Sequence, residues 1–170
     1  MDYKTIIRGI PDFPKKGILF RDITPLMSDP VIFASLLKDL KKTALTFQSD
    51  CIAAIESRGF LIGAPLASQL GLPLVLIRKQ GKLPGETEKV TYDLEYGQDT
   101  LEIHSDAICK DQRVLLVDDL LATGGTLLAS AKLIEKLGGT VSGVTVLIEL
   151  SDLEGRAKLG DLEVAALVRY

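Results

Sequence analysis

No apolar stretch in this chain of 170 residues approaches the roughly 20 residues a helix needs to cross a bilayer, which speaks against a transmembrane helix. The opening Met1-Asp2-Tyr3-Lys4 starts no signal peptide, and a cytoplasmic protein is the expectation. Cysteine is scarce. Cys51 and Cys109 stand at no metal-ligand spacing, each in or beside an apolar run, which predicts buried, reduced thiols rather than a disulfide or a redox pair. His104 is the one histidine, and nothing around it suggests a triad or a ligand set, so it reads as structural. Positive charge is not in excess either: the formal net charge is −3, which predicts no nucleic-acid-binding face. Repeats, low-complexity runs and linkers are missing, so residues 1–170 read as one domain.

What is present is the make-up of a globular protein, 46% hydrophobic and 25% charged. Asp12 to Phe20 is a loop broken by proline and glycine, and residues 30–46 carry a helical stripe of Ile32, Leu36, Leu37 and Leu40. Two similar units follow. In one, the apolar run Cys51–Ile55 leads through Glu56-Ser57-Arg58-Gly59 into a helix over Phe60 to Leu70, and a second run spans Pro73–Ile77. In the other, Val114–Val117 leads through Asp118-Asp119 and a Thr-Gly-Gly loop into a helix marked by Leu127, Ala131, Ile134 and Leu137, then into a strand over Val141–Ile148. Short continuous runs alternating with helices predict an α/β fold, an open and mostly parallel sheet with helices on both faces. Between the units, Tyr92–Tyr96 and Asp99–Ile103 alternate around Gly97-Gln98, which predicts a β-hairpin preceded by a mobile Gly/Pro-containing loop.

The chemistry concentrates in Val114 to Thr126. A helix starting near Gly124 presents unpaired N–H groups and the positive end of its dipole, glycines allow an anion close approach, and Thr123 and Thr126 add hydroxyl donors. A phosphate monoester suits that place. The adjacent acids Asp118 and Asp119 repel one another unless hydroxyls or a cation pair with them; ribose hydroxyls do so, and Mg²⁺ can. These thirteen residues resemble the phosphoribosyl pyrophosphate (PRPP) motif of type I phosphoribosyltransferases. The resemblance implies that Asp118 and Asp119 bind the ribose, and that Ala122, Thr123, Gly124, Gly125 and Thr126 cradle the 5′-phosphate.

Four further segments, Leu19–Leu26, Glu56–Phe60, Arg78–Gly85 and Tyr92–Gly97, resemble the adenine phosphoribosyltransferase family in that family's order, over nearly the whole chain. The resemblance implies a Rossmann-like fold with a small hood, from about residues 1–30 and the C-terminal segment, and a flexible catalytic loop at about 78–91. It implies diphosphate binding by Arg58, Arg78, Lys79 and Lys82, with Arg58 and Lys79 acting in catalysis and Glu56–Ser57 a cis peptide. Adenine would meet the backbones of Leu19 and Arg21 between Phe20 and Leu150. Glu95 is the implied acid/base near N7 of the purine, and Tyr96 would help close the site. The implied reaction is adenine plus PRPP giving AMP and diphosphate in purine salvage. Its Mg²⁺ would arrive on the diphosphate rather than in a metal site of the protein. The family also implies a homodimer, compatible with apolar residues near 18–33, and neither a nucleic-acid nor a membrane partner. Two alternatives stay open: a transferase for an oxopurine such as hypoxanthine or xanthine, and a non-catalytic PRPP-binding regulator of transcription.

Overall fold

A computed structural model describes residues 1–93 and 97–170. The chain falls into two compact units, Met1–Asp39 and Leu40–Tyr170. The first begins with a single 3₁₀ turn at Tyr3–Thr5 and holds the hairpin β1 (Arg8–Pro11) and β2 (Leu19–Asp22), then α1 (Thr24–Ser28) and the start of α2 (Pro30–Leu45). The hairpin pairs Arg8 with Asp22 and Pro11 with Leu19. The predicted helical stripe is observed: Leu36, Leu37 and Leu40 are buried, and Ile32 is half-buried.

Asp22 ties this first unit together. Its carboxylate accepts from Arg8 Nε at 3.0 Å and from the Thr24 N–H at 3.0 Å. The hydrogen bonds from Arg8 and then from Thr24 lower its pKa from 3.8 to about 2. A lowered carboxylate pKa contributes stability above the unfolded value and loses it as pH falls through the folded one. Asp22→Asn is therefore expected to lower the thermal midpoint at neutral pH, with the gap to wild type closing as the pH drops from about 4 towards 2. Thermal melts of both proteins across that range check this; a gap that persists at the acid end would assign Asp22 no ionic role.

Among the described residues the second unit contains β3 (Cys51–Ile55), α3 (Arg58–Leu70), β4 (Leu74–Lys79), β5 (Thr87–Asp93), β6 (Gln98–His104), β7 (Arg113–Leu121), α4 (Gly125–Lys136), β8 (Thr140–Glu149), α5 (Gly155–Lys158) and β9 (Val164–Arg169). The strands form one sheet in the order β5-β6-β4-β3-β7-β8-β9. The pairs from β4 through β9 are parallel, and β5 and β6 add an antiparallel edge. Every residue of β3 is buried, as expected for a strand covered on both faces.

Chain direction across the sheet reverses at the β3–β7 pair: β3 continues through α3 to β4 on one side, and β7 through α4 to β8 on the other. With right-handed crossovers, α3 and α4 then lie on opposite faces. That reversal is where an open α/β sheet places its ligand, beyond the carboxyl ends of the strands.

Three sequence expectations change. Strand β7 does not stop at Val117 but runs through the two aspartates to Leu121, because the long β8 pairs with it that far, Asp118 opposite Val146 and Leu121 opposite Glu149. Half of the segment at 78–91 is strand: Arg78 and Lys79 end β4, and Thr87 opens β5 opposite His104. The irregular stretch between is anchored by buried Glu102, which accepts from the Lys82 and Leu83 N–H groups at 2.9 Å each. Burial works to raise the Glu102 pKa, but these bonds and Lys89 hold it below its usual value. Finally, Cys51 is buried, with burial pushing its thiol up to about 11, whereas Cys109 is exposed. Cys109 lies in the turn between β6 and β7, where its N–H donates to Gln112 Oε1 at 2.9 Å and the neighbouring Ile108 takes the inward position.

Candidate active site

A cleft of about 400 Å³ opens at the reversal point, entirely within the second unit. Its walls come from three places: the turn from β3 into α3 (Glu56, Ser57, Arg58), the end of β7 with the turn into α4 (Asp118 to Leu127), and the hairpin side (Lys79, Tyr92, Asp99, Leu101).

Two helix N-termini face this cleft, and neither has a side-chain cap. Helix α3 begins at Arg58 after Ser57, and α4 begins at Gly125 after Gly124. Their first-turn N–H groups and dipoles make the cleft attractive to anions in two separate places. Gly124 is required where it stands. Its φ of 79° is left-handed, and a Cβ there would lie 2.5 Å from the Gly155 carbonyl oxygen. The Glu56–Ser57 peptide is cis, as the resemblance implies.

The acid pair is buried at the floor. Burial, then the neighbouring Asp119 charge, raises the Asp118 pKa well above its usual value. Burial raises Asp119 too, opposed by Arg58. Asp118 Oδ1 accepts from the Asp119 N–H at 2.8 Å. Arg58 Nη2 lies 2.8 Å from Asp119 Oδ2, a charge contact, yet that buried oxygen receives no aligned hydrogen bond. A buried carboxylate oxygen left so poorly served is suited to a ligand's hydroxyl. Gly59 makes room: a Cβ there would sit 2.9 Å from Asp118 Oδ1 and 3.0 Å from the Val117 carbonyl.

Of the residues picked out from sequence, Arg58, Lys79, Asp118, Asp119 and Ala122 to Thr126 line this one cleft. Arg78 and Lys82 do not line it. The Arg78 guanidinium donates to Glu56 Oε2 and to the Lys82 carbonyl, both at 3.1 Å, and lies 5.9 Å from the centre of the Phe60 ring. Leu19, Phe20 and Arg21 form strand β2 of the first unit, and Leu150 follows β8 in the second. Glu95 and Tyr96 lie outside the described residues.

Sequence reasoning missed two partners. Asp99 Oδ2 lies 3.1 Å from Lys79 Nζ and, through its hydrogen bond first, raises the lysine pKa. The Tyr92 hydroxyl shares a 3.2 Å hydrogen bond with Thr126 Oγ1. Both join residues far apart in sequence, and no local pattern signals either; the hairpin register places only Tyr92 opposite Asp99.

The phosphoribosyl transferase domain family matches residues 31–164. The adenine phosphoribosyltransferase of Caldanaerobacter subterraneus subsp. tengcongensis is 54% identical over 99% of this chain and 98% of its own length. The chain belongs to the adenine phosphoribosyltransferase family. Crystal structures of family members agree. The Thermoanaerobacter pseudethanolicus enzyme superimposes with a TM-score of 0.97 at 53% identity, covering 99% of this chain and 98% of that one. The Saccharomyces cerevisiae enzyme, complexed with an imino-altritol bisphosphate and adenine, gives 0.92 at 42%, covering 98% and 96%. The mostly parallel seven-stranded sheet is thus the type I phosphoribosyltransferase fold. No helix among the described residues is long and apolar enough to cross a membrane.

Proposed function

We infer that this chain is a pentosyltransferase that joins adenine to the phosphoribosyl group of PRPP, giving AMP and diphosphate. The observation that carries the reading is the convergence of two uncapped helix N-termini and a buried acid pair on one cleft. PRPP is a ribose with an anion at each end. The α4 N-terminus and the Ala122–Thr126 turn suit its 5′-phosphate, Asp118 and Asp119 its hydroxyls, and the α3 N-terminus with Arg58 and Lys79 its diphosphate.

The bond from C1′ to the diphosphate oxygen breaks as N9 of adenine bonds to C1′, and positive charge grows on the sugar while negative charge grows on the leaving group. Arg58 and Lys79 offset the latter. Bound magnesium supplies further neutralisation of the diphosphate. The hard oxygen donors Asp118 and Asp119 fit such an ion, and among the described residues no group of three or more His, Cys, Asp or Glu side chains is placed to hold a metal ion. That donor set favours Mg²⁺ carried largely by substrate oxygens. Arg78 and Lys82 are proposed as further diphosphate contacts, Leu19, Phe20, Arg21 and Leu150 as the residues that recognise adenine, and Tyr96 as an aid to closure. Glu95 is proposed to exchange the purine proton as the bond to N9 forms. Glu95→Gln is then expected to lower kcat by roughly 10²–10⁴-fold with little change in KM; steady-state kinetics at saturating PRPP check this, and an unchanged kcat would remove Glu95 from the chemistry.

A homodimer is proposed from the exposed apolar side chains Ile18, Leu19 and Val31, to be read by light scattering in solution. A cytoplasmic location is proposed too, to be read by cell fractionation.

The deciding experiment is a base panel with Mg²⁺ and PRPP, offering adenine, hypoxanthine, guanine or xanthine and measuring nucleotide and diphosphate. An adenine site presents an acceptor to the exocyclic amine, where an oxopurine needs a donor, so the mismatch costs about 1–3 kcal/mol or more. AMP from adenine, with little product otherwise and none in chelator, is expected. Product only from an oxopurine would overturn the base assignment, and no product from any base would overturn the enzyme reading.

A further inference from the structure

A segment well beyond the phosphate loop is built against its back. A Cβ on Gly155 would lie 2.0 Å from the Ala122 carbonyl oxygen, and one on Gly124 2.5 Å from the Gly155 carbonyl oxygen. Backbone rests on backbone there, with no space for a side chain. Gly155 opens α5, a helix of four residues too short to hold its own place.

What holds it is the next residue. Arg156 grips buried Glu149 in a fork, Nε to Oε1 at 2.9 Å and Nη2 to Oε2 at 2.6 Å. Its Nη1 donates to the Val164 carbonyl at 2.7 Å, and Arg169 Nε approaches Glu149 Oε2 at 3.1 Å. One guanidinium thus fixes α5 to the end of β8 and the start of β9. Next to the fork, the Leu150 N–H donates to the Leu121 carbonyl at 2.9 Å, tying the same corner to the strand that delivers the phosphate loop. This arrangement is costly for a surface corner: a carboxylate is taken almost fully out of water, and all three guanidinium nitrogens of Arg156 donate to the fold. Neither Arg156 nor Glu149 lines the cleft.

We propose that Arg156 and Glu149 are positioning residues for the 5′-phosphate: their fork presses the Gly155 backbone against Ala122 and Gly124 and so sets the N–H groups that receive the phosphate. The proposal rests on the reading that the Ala122–Thr126 turn binds that phosphate. Slackening the fork lets the turn drift, and an error of about an ångström in such a cradle is felt strongly.

The test uses the full chain, with Arg156→Gln and Arg156→Lys. Ribose 5-phosphate binding is measured by calorimetry, alongside KM for PRPP, kcat and the thermal midpoint. Arg156→Gln is expected to raise both the Kd for ribose 5-phosphate and the KM for PRPP by roughly tenfold or more, with kcat at saturation within about twofold. Arg156→Lys keeps the charge but not the fork, so it recovers part of the loss, and it serves if the glutamine variant fails to fold. A lower thermal midpoint with ribose 5-phosphate affinity unchanged would make the fork a stability device only and overturn the proposal. So would a fall in kcat with KM and Kd unmoved. If wild type itself binds no ribose 5-phosphate, the phosphate-site reading falls and takes this one with it; wild-type binding with unaltered variants overturns this one alone.

Discussion

Asp118→Asn is expected to give a free protein that is harder to unfold and an enzyme that uses PRPP far less efficiently. Asp118 is buried on the cleft floor, and its pKa is raised well above its usual value by burial first and by the adjacent Asp119 charge second. A raised folded pKa means that the native state binds the proton more tightly than the unfolded chain does, so the stability this group contributes is full below about pH 4 and declines as pH rises through the folded value. A neutral, isosteric asparagine removes that decline. Its own Oδ1 can still accept from the Asp119 N–H, a bond of 2.8 Å in the native protein. The variant should match wild type near pH 4 and exceed it increasingly at neutral pH and above, by about 2–4 °C in thermal midpoint for each 1 kcal/mol relieved. Activity moves the other way. A hydrogen bond from a ribose hydroxyl to a charged acceptor is worth about 1.5–3 kcal/mol, so kcat/KM for PRPP should fall by roughly 10- to 150-fold. PRPP should also raise the thermal midpoint of wild type more than that of the variant. Equal midpoints at pH 8 would refute the burial argument, and an unchanged kcat/KM would refute the ribose assignment.

The trade between stability and binding at Asp118 explains why this part of the site was legible in sequence. Two carboxylates at the end of an apolar run break local expectation, and such violations gather at functional sites. The same applies to Thr123-Gly124-Gly125-Thr126, where helix-breaking residues precede a strong helical stripe. Four of the five parallel strands announced themselves through continuous apolar runs and the hairpin through alternation around Gly97, whereas β9 (Val164–Arg169) went unread. What stayed hidden depends on contacts between distant segments. The extension of β7 through Leu121 is decided by the length of β8, not by its own acids. Cys109 follows an apolar pair, yet Lys110-Asp111-Gln112 turns the chain, Asp111 with a φ of 63°, and leaves the thiol outside. The Gly155 contact with Ala122 carries no periodic signal at all, since it needs only an absent side chain at one remote position.

Arg58→Ala should be the most damaging single change on the diphosphate side, because Arg58 acts on two partners. In the free protein its Nη2 lies 2.8 Å from Asp119 Oδ2, and it opposes the rise in the Asp119 pKa that burial causes. On the proposed reading, the same guanidinium faces the leaving diphosphate from the α3 N-terminus in the reacting complex. Truncation therefore removes a fork-shaped donor from the developing negative charge and leaves Asp119 buried with less compensation. Losing one side of such a desolvated charge contact costs about 2–5 kcal/mol, so kcat/KM for PRPP is expected to drop by roughly 30-fold to several thousand-fold. The pH profile carries the second effect. With the arginine gone the Asp119 pKa rises further, so a proton occupies the ribose-binding carboxylate at a higher pH than in wild type. The acid limb of the kcat/KM profile should move upward accordingly. Arg58→Lys restores charge without the planar fork and should recover only part of the rate while returning the acid limb towards its wild-type position. A variant within about threefold of wild type would overturn the diphosphate role, since the smallest loss expected is some ten times larger. A large loss of rate with the acid limb unmoved would leave Arg58 on the diphosphate but sever its link to Asp119.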